Sequence, residues 1–532
     1  MFPYFIFILT LLTVQTSRDR MATKADRDYL TLLAGRILET ESARANALRE
    51  FRRLDDLLTT IQTNFNKFAN RAAPVYSILN GILSAIFEAA CFSPSRWPLD
   101  FFEIKFSHVT HHWRDVAVNT PRLWTEIKVF GMKNSLDMVE AYLTRSKSIP
   151  LDMKVYLTIR SQSTPSVIQA ICSHAGRWRR LSVTCYASHR ELLSLLFRSL
   201  HSHSAPLLEL VDINAGKLEE DVYPEEASVY DGEDSGNEDA NDRFREILTG
   251  GSPLLTTIKL CGLRLHNDMP ALRMVTTLHI YAPKTPLLCT ECCTIFSGLP
   301  ALTNLWLYNF RLEFLPGSAS SVTLPSLLSL HIMSTAAVHA DSAFLRILWA
   351  PQLTHLLFDD FGHQDMEIIR KIPGWSITSP RYPSLSTLEV NSVGFTLSTW
   401  DIIDKYFPTV TNLILSSTDI DYLPDVLGPS SNASSPTDVR WPNLQVFTCN
   451  AFELPRDIEP LSVALSTRLA TGRPLRKLCF PHPISYTRLD EHLRHAIVQL
   501  QQYTEIEGCE RTRSHWSNVG KWYNDDGLVP FY

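Results

Sequence analysis

The sequence predicts an α/β repeat fold, in which a helical N-terminal region leads into an array of short strands. Three observations predict it. The pattern Pro-x-Leu-x-x-Leu-x-Leu recurs through the second half of the chain, apolar residues between Tyr29 and Phe68 follow a helical period, and the segment between Pro74 and Phe130 holds short amphipathic stretches punctuated by prolines. At 532 residues the chain also exceeds the ~250–300 at which a single core stops growing, so two or three domains are expected.

In the repeated pattern, the closing alternation is a short strand and the leucine before it fixes the turn into that strand. It occurs as Pro300-Leu302-Leu305-Leu307, Pro325-Leu327-Leu330-Ile332, Pro351-Leu353-Leu356-Phe358, Pro383-Leu385-Leu388-Val390 and Pro408-Val410-Leu413-Leu415, with prolines 25, 26, 32 and 25 residues apart. Looser copies begin at Pro206, Pro253, Val275, Pro442 and Pro474. Repeats of this kind predict an irregular leucine-rich-repeat solenoid over residues 136–500, each unit burying its apolar edge by stacking on its neighbours. An insertion interrupts it: residues 219 to 242 hold eleven acids and no Lys or Arg, against a whole-chain net charge of −6. Such a stretch cannot bury enough apolar surface to fold alone, so 217–243 is read as a disordered loop, and Ser228 and Ser235, each with an acid three residues on, as candidates for an acid-directed kinase.

Upstream, Phe51, Leu54, Leu58, Ile61, Phe65 and Phe68 follow alternating steps of three and four, and Leu30, Leu33 and Ile37 start the same stripe, interrupted by Thr40, Arg44 and Ala47. This predicts an amphipathic helix over 25–72, either packed on its own protein or paired with a second copy through 29–68 as a short coiled coil. Pro74 ends it. In the next segment Ile82, Leu83, Ile86 and Phe87 share a helical face, and Phe106, Val109, Trp113, Val116 and Ala117 make a second stripe stopped by Pro121. Residues 1–20 are apolar from Phe2 to Val14 but carry no Lys or Arg before that run and no cleavage-like site; with Met21 opening an ordinary soluble start, they are read as a mis-assigned start or a signal segment.

Composition narrows the function. A pI near 6.3 provides no general basic field, so no nucleic-acid partner is expected. Ten cysteines scattered along the chain suit reduced thiols, hence cytoplasm or nucleus, with no membrane partner unless the N-terminal segment is retained. Cys289-Thr-Glu-Cys292-Cys293 has no second ligand pair and is read as the helical back of a repeat; His111 and His112 point to different sides of a helix, and Asp359-Asp360 has no acid–base partner in sequence. No nucleophile elbow, phosphate loop or zinc-protease motif is present, so no metal, cofactor or catalytic residue is expected.

The stretches PVYSILNGILSAIFEAAC and FSHVTHHWRDVAVNTPRLWTEI resemble the F-box-like domain of the large basidiomycete-type fungal F-box family. The second half matches most closely, through Val109, Trp113, Arg114, Asp115, Ala117, Thr120, Pro121, Leu123 and Trp124. AYLTRSKSIPLDMKV and HAGRWRRLSVT look like that family's linker and first repeat, so the likeness spans most of residues 25 to 500. It implies an F-box-like domain over 74–130, a repeat array to residue 500 and a C-terminal tail over 501–532. It also implies a non-enzymatic adaptor that docks on the Skp subunit of an SCF-type (Skp, cullin, F-box) ubiquitin ligase. The residues implied for the F-box and its Skp contact are Ile82, Leu83, Ile86, Phe87, Val109, Trp113, Val116, Pro121, Leu123 and Trp124. The first half departs from the family's Leu-Pro-x-Glu: Leu79 stands in place of the proline and Gly81 in place of the glutamate, and Gly disfavours helix by ~1 kcal/mol relative to Ala.

Strand alternation places a protein target on the concave side of the repeats, at Trp306, Tyr308, His331, His355, Asp359, Glu389, Asn391 and Asn412. Three functions fit the sequence: the ubiquitin-ligase adaptor, a Skp-independent repeat scaffold for protein interactions, and a secreted or membrane-anchored recognition protein, for which Asn432-Ala433-Ser434 would be a glycosylation acceptor.

Overall fold

The computed structural model describes residues 24–509 apart from 73, 94–100, 131–134, 158–162, 187–188, 218–246, 264–271, 282–285, 315–320, 334–342, 360, 362, 371–380, 392–396, 417–425, 429–438, 450–457 and 482–490. The N-terminal segment, the acidic insertion with Ser228 and Ser235, the acceptor at Asn432, and the tail beyond Cys509 lie outside the described residues. The chain divides into two compact units, Met1–Ile86 with Phe106–Val116, and Phe87–Lys105 with Ala117–Tyr532.

In the first unit, helix α1 (Lys24–Ala72) runs for 49 residues. It contains no proline and one glycine, and is rich in Ala, Leu and Arg, residues that lose little on entering a helix. Its described side chains are exposed throughout except Leu30, which is half-buried. Helix α2 (Asn80–Cys91) begins where the Leu79 carbonyl accepts the amides of Ile82 and Leu83 (2.9 and 3.0 Å). The stripe from Phe106 to Ala117 is not one helix. It is divided between α3 (Phe102–Ser107) and α4 (His111–Val118). Thr110 separates them: its hydroxyl accepts the Trp113 amide at 3.0 Å, capping the start of α4, which leaves Val109 in the turn between. Across that turn Arg114 Nε donates to the Ser107 carbonyl (2.7 Å), and Phe106 meets Trp113 edge to face, centroids 6.2 Å apart.

The second unit is built on a 14-stranded parallel sheet in which every strand pairs with the next in sequence. Its strands are β1 (Glu126–Phe130), β2 (Leu151–Leu157), β3 (Trp178–Tyr186), β4 (Leu210–Lys217), β5 (Thr257–Cys261), β6 (Thr277–Tyr281), β7 (Asn304–Tyr308), β8 (Ser329–Met333), β9 (His355–Asp359), β10 (Thr387–Asn391), β11 (Asn412–Leu415), β12 (Val446–Cys449), β13 (Lys477–Pro481) and β14 (Glu505–Cys509). Helices such as Ser135–Arg145, Thr164–Cys172, Arg190–Leu200, Cys289–Ser297, Leu397–Tyr406 and Ile458–Ala470 connect successive strands, as parallel pairing requires. The sheet spans Glu126 to Cys509, reaching beyond residues 136–500 at both ends. Glu126–Phe130 follows Pro121-Arg122-Leu123, where the Leu123 amide closes the same turn onto the Thr120 carbonyl at 3.1 Å but one residue further from its strand, whereas Glu505–Cys509 follows no Pro-x-Leu and joins the ladder by pairing with Lys477–Pro481.

The repeated pattern has a local cause. Leu302, Leu327, Leu353, Leu385, Val410 and Leu444 each donate their amide to the carbonyl three residues back (3.0–3.3 Å), closing β-turns in which Pro300, Pro325, Pro351, Pro383, Pro408 and Pro442 stand second. Proline presets the φ that this position needs. The two following amides then reach the preceding repeat: Thr303 and Asn304 both donate to the Thr276 carbonyl at 2.9 Å, and the Thr303 hydroxyl adds a bond at 3.0 Å. Thr354, Ser386 and Thr411 repeat that hydroxyl contact at 3.1–3.3 Å. One face of the sheet stacks Leu278, Leu305, Leu330, Leu356, Leu388 and Leu413, all buried, into the core.

A polar cluster is enclosed between Leu397–Tyr406, Ile458–Ala470 and the turn at Trp441. Arg440 Nη2 pairs with Asp401 Oδ1 at 2.7 Å, the Trp441 amide donates to Asp404 Oδ1 at 2.7 Å, and Arg468 donates to the Arg440 and Trp441 carbonyls at 2.7 and 2.9 Å. These bonds hold Trp441 at φ +54°, a left-handed conformation that a bulky residue adopts only when its surroundings enforce it.

Candidate protein-interaction site

The strand face opposite the leucine stack carries three rows of side chains, because alternate residues of each strand point to one side and the register is in phase from β5 to β11. The first row runs Thr277, Asn304, Ser329, His355, Thr387, Asn412. The second runs Lys259, His279, Trp306, His331, Leu357, Glu389, and the third Tyr281, Tyr308, Met333, Asp359, Asn391. The eight residues expected on the concave side therefore all lie on one face. Two of them, His331 and Glu389, are buried. Strands stand only ~4.8 Å apart, so a side chain in the middle row is flanked on both sides, His331 by Trp306 and Leu357, Glu389 by Leu357 and Ile414. Trp306, Tyr308, His355, Asp359, Asn391 and Asn412 are half-buried.

Two residues of this face escaped the sequence reading. His279 stacks on Trp306 with centroids 3.8 Å apart and planes 23° from parallel, and Tyr281 stacks on Tyr308 at 3.8 Å and 9°. Their repeat begins at Val275 without a proline, but applying the same alternation to Thr277–Tyr281 would have found them. Desolvation, helped by Lys259 and His331, lowers the His279 pKa to about 3, so its ring is neutral and suited to stacking. Toward β10 the face becomes acidic. His331 Nε2 lies 3.5 Å from Asp359 Oδ2 and His355 Nε2 lies 3.7 Å from Glu389 Oε2, while Asn391 Nδ2 donates to Asp359 Oδ1 at 2.8 Å and the Ser416 hydroxyl donates to Glu389 Oε1 at 3.0 Å. The result is an aromatic patch beside a carboxylate patch, both held by side-chain contacts across strands.

The residues that the family resemblance implied fall into two groups. Leu83 and Phe87 are 1% exposed, and Val116, Leu123 and Trp124 are also buried, so these five hold the fold and present no surface to a partner. Trp124 Nε1 donates to the Ala117 carbonyl at 2.8 Å, its ring meets Tyr142 edge to face at 5.0 Å, and the Arg145 guanidinium lies 4.4 Å from its centroid. Nearby, buried Glu103 accepts the Tyr142 hydroxyl at 2.7 Å. Trp113 and Pro121 are half-buried, whereas Ile82, Ile86 and Val109 are exposed. Leu79, just before α2, extends that exposed set: at 71%, 54% and 49% exposure, Leu79, Ile82 and Ile86 make an apolar stripe at spacing i, i+3, i+7 along the start of α2 and the residue before it. Gly81 lies beside it with nothing within 4 Å of where a Cβ would project.

Among the described residues no group of three or more His, Cys, Asp and Glu is placed to hold a metal ion, and no helix is long and apolar enough to cross a membrane. Cys289 and Cys292 are buried on the helix Cys289–Ser297, where burial pushes the Cys292 thiol up. Cys172 and Cys185 are pushed up to about 12 by the same cause, which disfavours the reactive thiolate. No protein-family model and no curated protein matches the chain. A solved structure of a Bacteroides fragilis protein aligns over 69% of this chain and 77% of its own, at 9% identity and a TM-score of 0.26, a likeness too loose to transfer a fold or a function.

Proposed function

We propose that the chain is a non-enzymatic substrate-recognition adaptor of an SCF-type ubiquitin ligase, with an F-box-like domain that binds Skp and a leucine-rich-repeat solenoid that binds a protein target. The observation that carries this reading is the division of α2: Leu83 and Phe87 serve the interior, while Leu79, Ile82 and Ile86 leave a free apolar stripe in the segment that resembles the F-box family. An unspent apolar stripe on a short helix fits helix-in-groove docking. The aromatic and carboxylate patches around Trp306, Tyr308, Asp359 and Asn391 are the proposed target site, since desolvated aromatics dominate interface energetics. Rate enhancement would come from holding the target beside the conjugating enzyme, a gain in effective concentration that needs no covalent chemistry from this chain. Such an adaptor would work in the cytoplasm or nucleus.

Affinity capture of the full chain from cells tests the reading. Skp and cullin should be recovered with the wild-type chain and lost with Ile82→Glu/Ile86→Glu. Equal recovery with both, or recovery with neither, contradicts it and favours the Skp-independent scaffold.

A further inference from the structure

Helix α1 carries an apolar seam that no other described part of the chain covers. Phe51, Phe65 and Phe68 are 67%, 71% and 72% exposed, and Leu54, Leu58 and Ile61 are about half exposed. The steps of three and four continue from Leu30 to Phe68 without insertion, so the helix holds six unbroken heptads. The first seam positions are Leu30, Ile37, Arg44, Phe51, Leu58 and Phe65; the second are Leu33, Thr40, Ala47, Leu54, Ile61 and Phe68.

We propose that this seam is occupied by a second copy of the chain, the two α1 helices pairing through residues 29–68 as a parallel, in-register, two-stranded coiled coil. Parallel pairing sets each layer against itself, which joins six successive apolar layers from Phe51 to Phe68 and confines the polar layers to Thr40 and Arg44. A fully overlapped antiparallel pair would instead bury Arg44 against Leu54 and Thr40 against Leu58. The flanking charges agree. Glu41 lies five positions after Arg36, the offset that brings them together across a parallel seam, twice by symmetry. The antiparallel pair would set Glu41 against Asp55. Parallel pairing does set Glu50 opposite Asp55, but Glu50 is already engaged by Arg53 of its own helix at 2.8 Å. The exposed parts of the three phenylalanines and of Leu33, Ile37, Leu54, Leu58 and Ile61 amount to roughly 600 Å² per copy, and Leu48 and Leu57 on the flanks bring it near the ~800 Å² per partner of a standard interface.

This pairing is independent of the ligase reading. It would give each particle two sheet faces, and so avidity for a target with two sites. The test uses the full chain. Light scattering at micromolar concentration should give twice the 60.4 kDa of one chain, and Leu58→Glu/Ile61→Glu should halve that mass while leaving amide exchange in the sheet strands unchanged, because both side chains lie exposed on α1 and not in the sheet. Under mild oxidation, Leu54→Cys should yield a disulfide joining the two position-54 peptides, identified by mass spectrometry. A single-chain or higher-order mass, a dimer that survives the double glutamate variant, or a dimer that fails to link at position 54 would each overturn the proposal.

Discussion

Replacing Trp124 perturbs the turn that leads into the first strand of the sheet, and the structure sets the size of the effect. Its side chain is fully buried, so Trp124→Ala removes a large apolar volume next to Leu123 and Ile127, at ~3–5 kcal/mol for a core aromatic. It also ends the bond from Nε1 to the Ala117 carbonyl, the edge contact with Tyr142 and the Arg145 cation contact. These terms overlap, so about 4–5 kcal/mol is expected in total. Trp124→Phe separates them. It keeps most of the apolar area and the aromatic contacts but removes one of the two bonds to the Ala117 carbonyl, which then accepts only the Thr120 amide at 3.2 Å, for ~1–1.5 kcal/mol. A chain with two units does not unfold in one step, so the assay is amide hydrogen exchange read locally in β1 and in Ser135–Arg145, which carries Tyr142 and Arg145. At ~1.4 kcal/mol per tenfold, Trp124→Phe should speed exchange there about tenfold and Trp124→Ala about a thousandfold or more. If Trp124→Phe exchanges like the wild type and Trp124→Ala changes it less than threefold, Trp124 does not anchor this junction.

Other consequences follow from single sites. Gly81→Ala should stabilise α2 by ~0.5–1 kcal/mol, because a Cβ meets nothing within 4 Å there, and should slow exchange across Asn80–Cys91; faster exchange would mean the position is more crowded than described. Burial raises the Asp404 pKa from 3.8 to about 6, so its contribution to stability is fullest below the unfolded value near 3.8 and is lost as pH rises through 6. Compared with Asp404→Asn, the wild type should therefore gain thermal stability as pH falls from 7 to 4, and a pH-independent difference between the two would contradict this. Trp306→Ala/Tyr308→Ala should remove target proteins from the capture profile while leaving Skp in place, and an unchanged profile would put the target elsewhere.

The repeats were legible because each uses chemistry visible in single residues: Pro300 or Pro351 presets a turn, and Leu305 or Leu356 must point inward. The outer strands were less so. Glu126–Phe130 has a proline turn at Pro121, but its strand starts one residue later than in the repeats, so the template slips out of phase and the strand shows only in its pairing with Leu151–Leu157; Glu505–Cys509 has no such turn at all. The helical stripe from Phe106 to Ala117 misled for the opposite reason: apolar spacing continued through a point where the Thr110 hydroxyl favoured a cap. On α2, spacing grouped Ile82, Leu83, Ile86 and Phe87 as one broad face, and only the packing separates the buried pair from the exposed pair. His331 and Glu389 teach the same lesson on the sheet. Alternation assigns a side chain to a face, whereas its exposure depends on the neighbours in the adjoining strands.

The central claim is that the exposed stripe Leu79, Ile82 and Ile86 is a Skp-docking surface. Titrating purified Skp into the purified full-length chain by isothermal calorimetry tests it directly. The account predicts one Skp per chain, with binding abolished in Ile82→Glu/Ile86→Glu although that variant unfolds at the wild-type temperature. No binding by the wild-type chain, or equal binding by the variant, would contradict it.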